Sequence, residues 1–336
     1  MPALPTSSRV RRTAVAAALL ATGALALAGC GSSDAATGDE AGASADASSG
    51  DWPRTFENAD GTTTEIPAQP ENILSTTVST TGTLLAIDAP VTTSATDANG
   101  DFFPQWASVA EERGVAEAWP AGAPDIEAAI AAAPDLIVVS STGADSMADA
   151  VEELSDIAPT IVVDYGEQSW QDLAAQLGEA TGLEDEAESA VADFDALVAE
   201  TAEQITVPEG EANIVSYNGP GASNPIALPH GPHGSLLQTL GFTIEEPDAS
   251  WHTQPEPRED FVFADYERLT ELTGDTTFVL SADDEAAESG FGSDEVLANL
   301  PSVQNGQVYG LGANSFRMDL YSATEIVEGI AENFGA

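Results

Sequence analysis

The stretch EDEAESAVADFDALVAETAEQI, residues 184–205, decides the fold. It contains neither glycine nor proline, and its apolar residues recur mostly at three- and four-residue spacing, which predicts one long amphipathic helix. A helix of this length extends about 33 Å, the width of a small domain. Gly182 precedes the stretch, and Pro208 and Gly210 follow it, so helix breakers mark both ends.

The segments on the two sides of this helix resemble each other. The tetrapeptide GTLL at 82–85 is matched by GSLL at 234–237. Glu127 and Glu267 each stand eight residues before an aspartate that introduces a predicted apolar strand. Matches in the same order predict an α/β fold with two similar lobes joined by the long helix. Ligands of open α/β sheets bind at loops beyond the carboxyl ends of strands, so we expect a binding cleft between the lobes.

Shorter elements are predicted within each lobe. A turn at 59–62 indicates a hairpin, and residues 78–81 are expected to form a hydroxyl-rich loop. Strands are predicted at 73–76, 136–139, 160–163, 212–217, 277–280 and 308–310, and helices near 82–85, 147–154 and 170–180. The loops expected to face the cleft are 76–81, 140–145, 230–233 and 310–321.

The first residues predict export and lipid attachment. Arginines at 9, 11 and 12 precede an apolar run, and the sequence LAGC ends it at Cys30, similar to a bacterial lipobox. The alternatives are an ordinary secretory signal or a membrane anchor. We therefore expect a signal peptide at 1–29 and a flexible tether at 30–50, with the protein held by a lipid on Cys30 at the outer face of the cell membrane. The expected domain limits are 51–183, 184–206 for the interlobe helix, and 207–336.

Composition excludes several classes of function. Cys30 is the one cysteine, so the mature chain can form no internal disulfide and carries no thiol nucleophile. All eight basic residues are arginine against 57 acidic ones, for a formal net charge of −49. Losing the three signal arginines would take this to −52. Nucleic acid is not expected as a partner of so acidic a chain, and the charge suits a solvated surface at high salt.

Several phrases are similar to one family. AAPDLI at 132–137 and LPSVQNGQVY at 300–309 resemble substrate-binding proteins of ABC importers for iron–siderophores and cobalamin. LLAIDAPV at 84–91, IAPT at 157–160 and FRMDLYSA at 316–323 resemble the ferric-enterobactin-binding members of that family. The resemblance implies a fold like the class III periplasmic binding proteins. It also implies a monomer that takes a ferric siderophore without any cofactor, leaves the iron to the siderophore, and delivers it to a permease dimer.

The ligand that the resemblance implies, a ferric tris-catecholate, needs arginine for its charge and aromatic rings for its faces. Arg317 lies in the matching Phe-Arg-x-Asp motif; its alternative is a salt bridge with Asp319 or Glu325. Arg258, in a loop expected to precede a helix, and Arg113, which could equally form an exposed ion pair, are the other candidates.

Aromatic and histidine side chains complete the candidate site. Trp251 and His252 lie in a proline-rich loop, and Tyr321 could donate to a catecholate oxygen. Phe102, Phe103 and Trp106 form a cluster that fits either a cleft wall or a lobe core. His230 and His233 could bind zinc, but Pro232 predicts a loop and zinc commonly takes four ligands, so donation to an anion is preferred.

Glu127 and Glu267 occupy the same place in each lobe. In the family that the chain resembles, such a pair docks onto arginines of the permease. The alternative is that both are helix-start acids favoured by the helix dipole.

Other functions remain as alternatives or are excluded. A hydroxamate siderophore, haem or a cobalamin could replace the catecholate as ligand, and an adhesion or scaffold module without cargo is a further hypothesis. No phosphate-binding loop with lysine and no Gly-x-Ser-x-Gly motif occurs, so an enzyme is not expected.

Overall fold

The computed structural model describes residues 52–166, 168–255 and 258–335. The predicted signal peptide, Cys30 and the tether lie outside these residues. Among the residues that are described, no helix combines the length and the apolar character needed to span a membrane.

Two sheets lie on either side of a long helix, as predicted. The strands are β1 Arg54–Glu57, β2 Thr63–Ile66, β3 Ile73–Ser75, β4 Val91–Thr96, β5 Ala116–Pro120, β6 Leu136–Ser140, β7 Thr160–Val163, β8 Glu211–Val215, β9 Ser223–Ala227, β10 Thr243–Ile244, β11 Phe261–Asp265, β12 Thr276–Val279 and β13 Val308–Gly310. The α-helices are α1 Val78–Ala86, α2 Pro104–Arg113, α3 Ile126–Ala132, α4 Val151–Ser155, α5 Trp170–Thr181, α6 Glu184–Gln204, α7 Pro232–Thr239, α8 Asp284–Ala287, α9 Pro301–Asn305 and α10 Leu320–Phe334.

The sheet of the N-terminal lobe is entirely parallel, in the order β5-β4-β3-β6-β7. Its interior strand β6 reads LIVVS and is buried along its whole length, as expected for a parallel strand covered on both faces. Strands β1 and β2 form the predicted hairpin beside this sheet. The parallel arrangement brings the loops after β3, β6 and β7 to one edge.

The sheet of the C-terminal lobe has the order β11-β9-β8-β12-β13, with β10 beside β8. Strand β9 runs antiparallel to both of its neighbours, and the other pairs are parallel. The lobes are therefore similar rather than identical, because the C-terminal lobe inserts an antiparallel strand before α7.

Helix α6 is the interlobe helix that the opening stretch predicted, and it ends one residue early, at Gln204. Phe194 on its buried face packs edge-on against Trp170 of α5, with ring centroids 5.2 Å apart. This contact packs α5 against the long helix. The opposite face is acidic and exposed, so burial of the apolar face holds the helix in place.

A second helix also joins the lobes. After the last strand of the C-terminal lobe, α10 returns to contact α6 and then α1 and α2 of the N-terminal lobe. One continuous hydrophobic core includes residues of both lobes, among them Leu85 of α1, Phe278 of β12 and Ile326 of α10. The two lobes are thus joined by packing as well as by chain connectivity.

Four local predictions differ from the structure. Residues 78–81 form the first turn of α1, because a carboxylate from a distant loop caps that helix. Arg258 directly precedes strand β11, and the helical segment expected after it comes only beyond that strand, as the 3₁₀ turn Tyr266–Glu271. Pro232 begins α7 at its first position, where its fixed φ suits a helix, so His233 is helical. The helix predicted at 147–154 is a 3₁₀ turn, Ala148–Ala150, followed by α4.

Candidate functional site

Arg317 spans the space between the lobes. It lies in the loop between β13 and α10, and its Nη1 donates to Ser79 Oγ at 3.1 Å. The same nitrogen lies 3.4 Å from the hydroxyl of Tyr165. Its guanidinium carbon is 5.8 Å from the centroid of the Phe103 ring. Ser79, Tyr165 and Phe103 all belong to the N-terminal lobe, so this side chain marks the cleft.

Arg317 differs from the other arginines of the described residues in its partners. The other four form carboxylate pairs, Arg54–Glu184, Arg113–Asp88, Arg258–Asp260 and Arg268–Glu271. Arg317 forms none, because Asp319 caps α10 instead and Glu325 accepts from Asn314. In a chain with 57 acidic residues, a half-buried guanidinium that faces neutral hydroxyl groups remains available to an added anion.

Asp145 organises the opposite wall. Its carboxylate accepts from Thr77 Oγ1, from the Ser79 amide at 3.0 Å and from the Tyr165 hydroxyl at 2.9 Å. It therefore caps α1 from the loop after β6, in place of Thr77, whose side chain makes no capping bond. Burial, with Asp145 beside it, raises the pKa of Tyr165. The phenol stays protonated, donates to Asp145 and offers a lone pair toward Arg317.

Tyr165 also explains a glycine in the neighbouring loop. Gly143 has a φ of 93°, and a Cβ there would lie 1.7 Å from the Tyr165 hydroxyl. Only glycine accommodates both the left-handed backbone and the phenol. Tyr165 is a site residue that sequence reasoning missed, although its place directly after β7, at the carboxyl edge of a parallel sheet, could have indicated it.

Buried contacts support the loop that carries Arg317. His233 Nε2 donates to the carbonyl of Ser315 at 2.7 Å, and the Ser315 hydroxyl accepts from the Ser281 amide at 3.0 Å. Phe316 stacks on Phe261, with centroids 5.5 Å apart and ring planes 11° apart. Burial lowers the pKa of His233, so the ring is neutral. His233 thus holds this loop from the protein interior.

Arg258 lies on the C-terminal wall of the cleft. Its Nε and Nη2 donate to the two oxygens of Asp260, each at 2.7 Å, and its guanidinium lies 5.6 Å from the Phe263 ring. The hydrogen bond to Asp260 raises the pKa of Arg258, and the Tyr165 and Asp164 side chains of the other lobe add to this effect. Phe263 lies 6.2 Å from Phe261, which stacks on Phe316 next to Arg317, so Arg258 lies on the same side of this lobe as Arg317.

The histidines and Trp251 surround β11. His252 Nδ1 accepts from the Phe263 amide at 3.2 Å, and its ring lies edge-on to the Phe263 ring. His230 is exposed, 3.5 Å from Glu259. Trp251 is half-buried and packs against the second core of the C-terminal lobe. In the described ranges, no group of three His, Cys, Asp or Glu side chains is placed to hold a metal ion.

The aromatic cluster after β4 is divided between cleft and core. Trp106 is fully buried, packing with Phe102 at 5.2 Å and with Phe103 at 6.2 Å between centroids. It therefore belongs to the lobe core, one of the two possibilities that the sequence left open. Phe103 is the member of the cluster that approaches Arg317.

Arg113 and Tyr321 lie apart from this constellation. Arg113 pairs with Asp88 at 2.5 Å, the exposed ion pair that the sequence held as its alternative. Tyr321 and Asp88 both line a groove of about 640 Å³ beside α6. That groove includes neither Arg317 nor Tyr165, so it is separate from the candidate ligand site around Arg317.

Glu127 and Glu267 have matching positions in the two lobes. Glu127 lies in the first turn of α3, and Glu267 lies in the 3₁₀ segment Tyr266–Glu271 that follows β11. Both side chains are exposed. Each helical segment leads to the fourth strand in the order of its sheet, β6 or β12, so the repeat predicted from spacing holds in three dimensions.

Comparison with known proteins agrees with the two-lobed α/β architecture. The chain belongs to the periplasmic binding protein family, whose model matches residues 73–315. The ferric enterobactin-binding periplasmic protein FepB of Escherichia coli O6:H1 is 39% identical over 288 residues, covering 83% of this chain and 90% of that protein. These matches confirm the family that the sequence phrases indicated.

Solved structures show the same fold. The crystal structure of holo-ViuP is 50% identical, covers 85% of this chain and 97% of its own, and superposes with a TM-score of 0.82. Staphylococcus aureus SirA complexed with staphyloferrin B has a TM-score of 0.66 at 21% identity, covering 83% of this chain and 97% of that one. The second likeness is one of fold alone.

Proposed function

We propose that this protein captures a ferric siderophore, of the catecholate class, and delivers it to the permease of an ABC importer. The observation that carries this proposal is Arg317, a cleft arginine without a carboxylate partner in a strongly acidic chain. A catecholate complex of Fe³⁺ is an anion with flat aromatic faces, which suits a guanidinium beside Phe103. The relative FepB is named as a ferric enterobactin-binding protein, which supports the same ligand class.

The cleft contributes positioning and charge rather than iron coordination. Arg317, with its Nη1 held by Ser79 and Tyr165, would direct its other N–H groups to the catecholate oxygens, with Arg258, His230 and His252 along the C-terminal wall. Phe103 and Phe263 would cover the ligand's aromatic faces. Trp251 and Phe102 would border the ligand, with the buried His233 behind the C-terminal wall and the buried Trp106 behind the N-terminal wall. The iron would stay within the siderophore, and no resident cofactor is needed.

Ligand class is tested by titrating the protein's tryptophan fluorescence with ferric enterobactin, a ferric hydroxamate, haem and a cobalamin. We expect ferric enterobactin to quench at the lowest concentration. Arg317→Ala should weaken that binding by roughly 1–3 kcal/mol, the range for losing a hydrogen bond to a charged group. Arg268→Ala is the matched control, because Arg268 pairs with Glu271 on the exposed 3₁₀ segment.

A ferric hydroxamate is the second candidate ligand, and it is favoured by the acidic surface, which does not attract an anion over long distances. Tighter binding of the hydroxamate than of enterobactin, with Arg317→Ala unchanged, would show that the ligand class is wrong.

Delivery to the permease is proposed to use Glu127 and Glu267, one exposed carboxylate on each lobe. Replacing both by alanine should abolish siderophore uptake in cells while leaving ligand affinity unchanged. Cys30 is proposed to carry the lipid that holds the protein, as a monomer, outside the cell membrane. Mass spectrometry of the mature protein should find an N-terminal lipid that Cys30→Ala removes.

A further inference from the structure

Asp260 neutralises the second arginine of the cleft. Both carboxylate oxygens accept from Arg258, each at 2.7 Å, in the bidentate arrangement typical of strong arginine–carboxylate pairs. The pair is partly desolvated, since the Asp260 side chain is 17% exposed and that of Arg258 43%. Arg258 is thus fixed in position, but much of its charge is offset before any ligand arrives.

Two other acidic side chains near the cleft have structural tasks. Asp145 caps α1 and holds Tyr165. Asp164 accepts from Ser141, Thr142 and the Gly166 amide, and so fixes the loops after β6 and β7. Asp260 differs, because its carboxylate bonds to Arg258 two residues away and to no loop of the described residues. Its contribution is therefore to the charge of the cleft.

From this difference we infer that Asp260 is a specificity-determining residue that sets how much negative charge the cleft accepts on a ferric complex. The inference rests on the proposed function. Arg317 supplies one uncompensated positive charge, whereas Arg258 supplies a rigid donor group whose charge is offset by Asp260. Since the electrostatic interaction grows with the product of the charges, Asp260 disfavours a highly charged complex more than a weakly charged one.

The test compares two ferric complexes on the wild-type protein and on Asp260→Asn. Ferric enterobactin, with three doubly deprotonated catecholates on Fe³⁺, carries three negative charges; the ferric complex of a bis-catecholate carries one. Asparagine keeps the shape of the side chain and removes its charge. We expect Asp260→Asn to tighten binding of the triply charged complex about tenfold and of the singly charged complex about twofold.

The matched control is Glu271→Gln, which removes the carboxylate from the exposed Arg268–Glu271 pair outside the cleft. It should change neither affinity by more than the experimental error. Raising the salt concentration should reduce the difference between wild type and Asp260→Asn, because screening acts on the charge term. Thermal unfolding of both variants checks that they are folded.

Two outcomes separate this inference from the proposed function. Equal fold-changes for the two complexes, or weaker binding of both by the folded Asp260→Asn protein, would overturn the inference, because Asp260 would then act by positioning Arg258. If the wild-type protein bound neither complex, the proposed function would fail, and the inference with it.

Discussion

Arg317 is held from two sides before any ligand binds. His233 and Phe261 support its loop from the C-terminal lobe, and Ser79 and Tyr165 receive its guanidinium in the N-terminal lobe. A side chain fixed in this way loses less conformational freedom when it binds an anion. The pre-organisation of Arg317 therefore depends on all of the side chains that support it.

Tyr165→Phe tests the N-terminal half of this support. The variant keeps the ring but loses the hydroxyl that donates to Asp145 and lies 3.4 Å from Arg317. We expect affinity for the ferric catecholate to fall by about 0.5–1.5 kcal/mol, the range for one neutral hydrogen bond. Tyr309→Phe, which removes a hydroxyl bonded to Gln307 in the C-terminal lobe, is the control in the same fluorescence titration. A loss as large in Tyr309→Phe would assign the effect to general destabilisation.

Asp319→Asn tests a buried carboxylate at the start of α10. Burial raises the pKa of Asp319 above its ordinary 3.8, so the folded protein binds more protons than the unfolded chain in the window between the two pKa values. Stability from this residue is present at low pH and is lost as pH rises through the folded-state pKa. Asparagine caps helices equally well and removes that loss.

Denaturant unfolding at several pH values measures this effect. The free energy of unfolding of Asp319→Asn, relative to wild type, should increase as pH rises from about 4 toward neutrality. A difference that stays constant with pH would show that Asp319 has the same pKa in both states.

Sequence alone named Arg317 and Arg258 as candidates but could not say which one is neutralised. That distinction depends on Asp260, one acid among 57, and only the fold selects it. Tyr165 and Asp145 were missed for the same reason, because their contact joins loops twenty residues apart. His233 carried a local signal, but its burial depends on the loop that returns after β13.

Helix α10 is the element that restricts movement between the lobes. Its N-terminal residue Asp319 accepts from Gln105 of α2 at 3.1 Å, and its apolar face packs into the core shared by both lobes. Closure around a ligand would have to shift α10 against α1 and α6 together. Small closure is therefore expected.

Gly82→Ala tests the closeness of this junction. A Cβ at Gly82 would lie 2.6 Å from Asp319 Oδ2 and 2.8 Å from Trp106 Cδ1, where α1, α2 and α10 meet. We expect the free energy of unfolding to fall by about 1–3 kcal/mol, the usual cost of overpacking. Gly329→Ala is the control, because a Cβ there meets nothing within 4 Å and alanine favours the helix by up to about 1 kcal/mol. Stabilisation by both substitutions would mean that the junction yields easily.

Elements with strong local patterns were predicted well. The apolar run of β6 and the spacing of α6 depend on their own residues, so their bounds followed from sequence to within about a residue. The start of α1 did not, since its cap comes from Asp145, sixty-six residues beyond Ser79. The strand β11 was missed because it pairs with β9 in an antiparallel insertion that the repeat did not contain.

The whole chain carries a formal net charge of −49, and its two lobes share a hydrophobic core. Mutual repulsion among the carboxylates opposes the compact state, and salt screens it, since the Debye length falls to about 3 Å at 1 M. We expect the melting temperature to rise as NaCl increases from low concentration toward about 1 M. A nonionic osmolyte at equal osmolality is the control, and an equal rise in both would remove charge as the cause.

The shared core has a consequence for exchanging parts between relatives. Helix α10 is the last element of the chain, yet many of its contacts are with the N-terminal half. A chimera that takes everything after α6 from another member of the family would replace α10. It would keep the surfaces of α1 and α2 against which the native α10 packs. A hybrid that transplants β8–β13 alone, and leaves the native α10 in place, preserves that fit. The part that should be kept together in such exchanges is therefore discontinuous in sequence: the N-terminal lobe has to be kept with α10, the fifteen-residue helix that follows the C-terminal lobe.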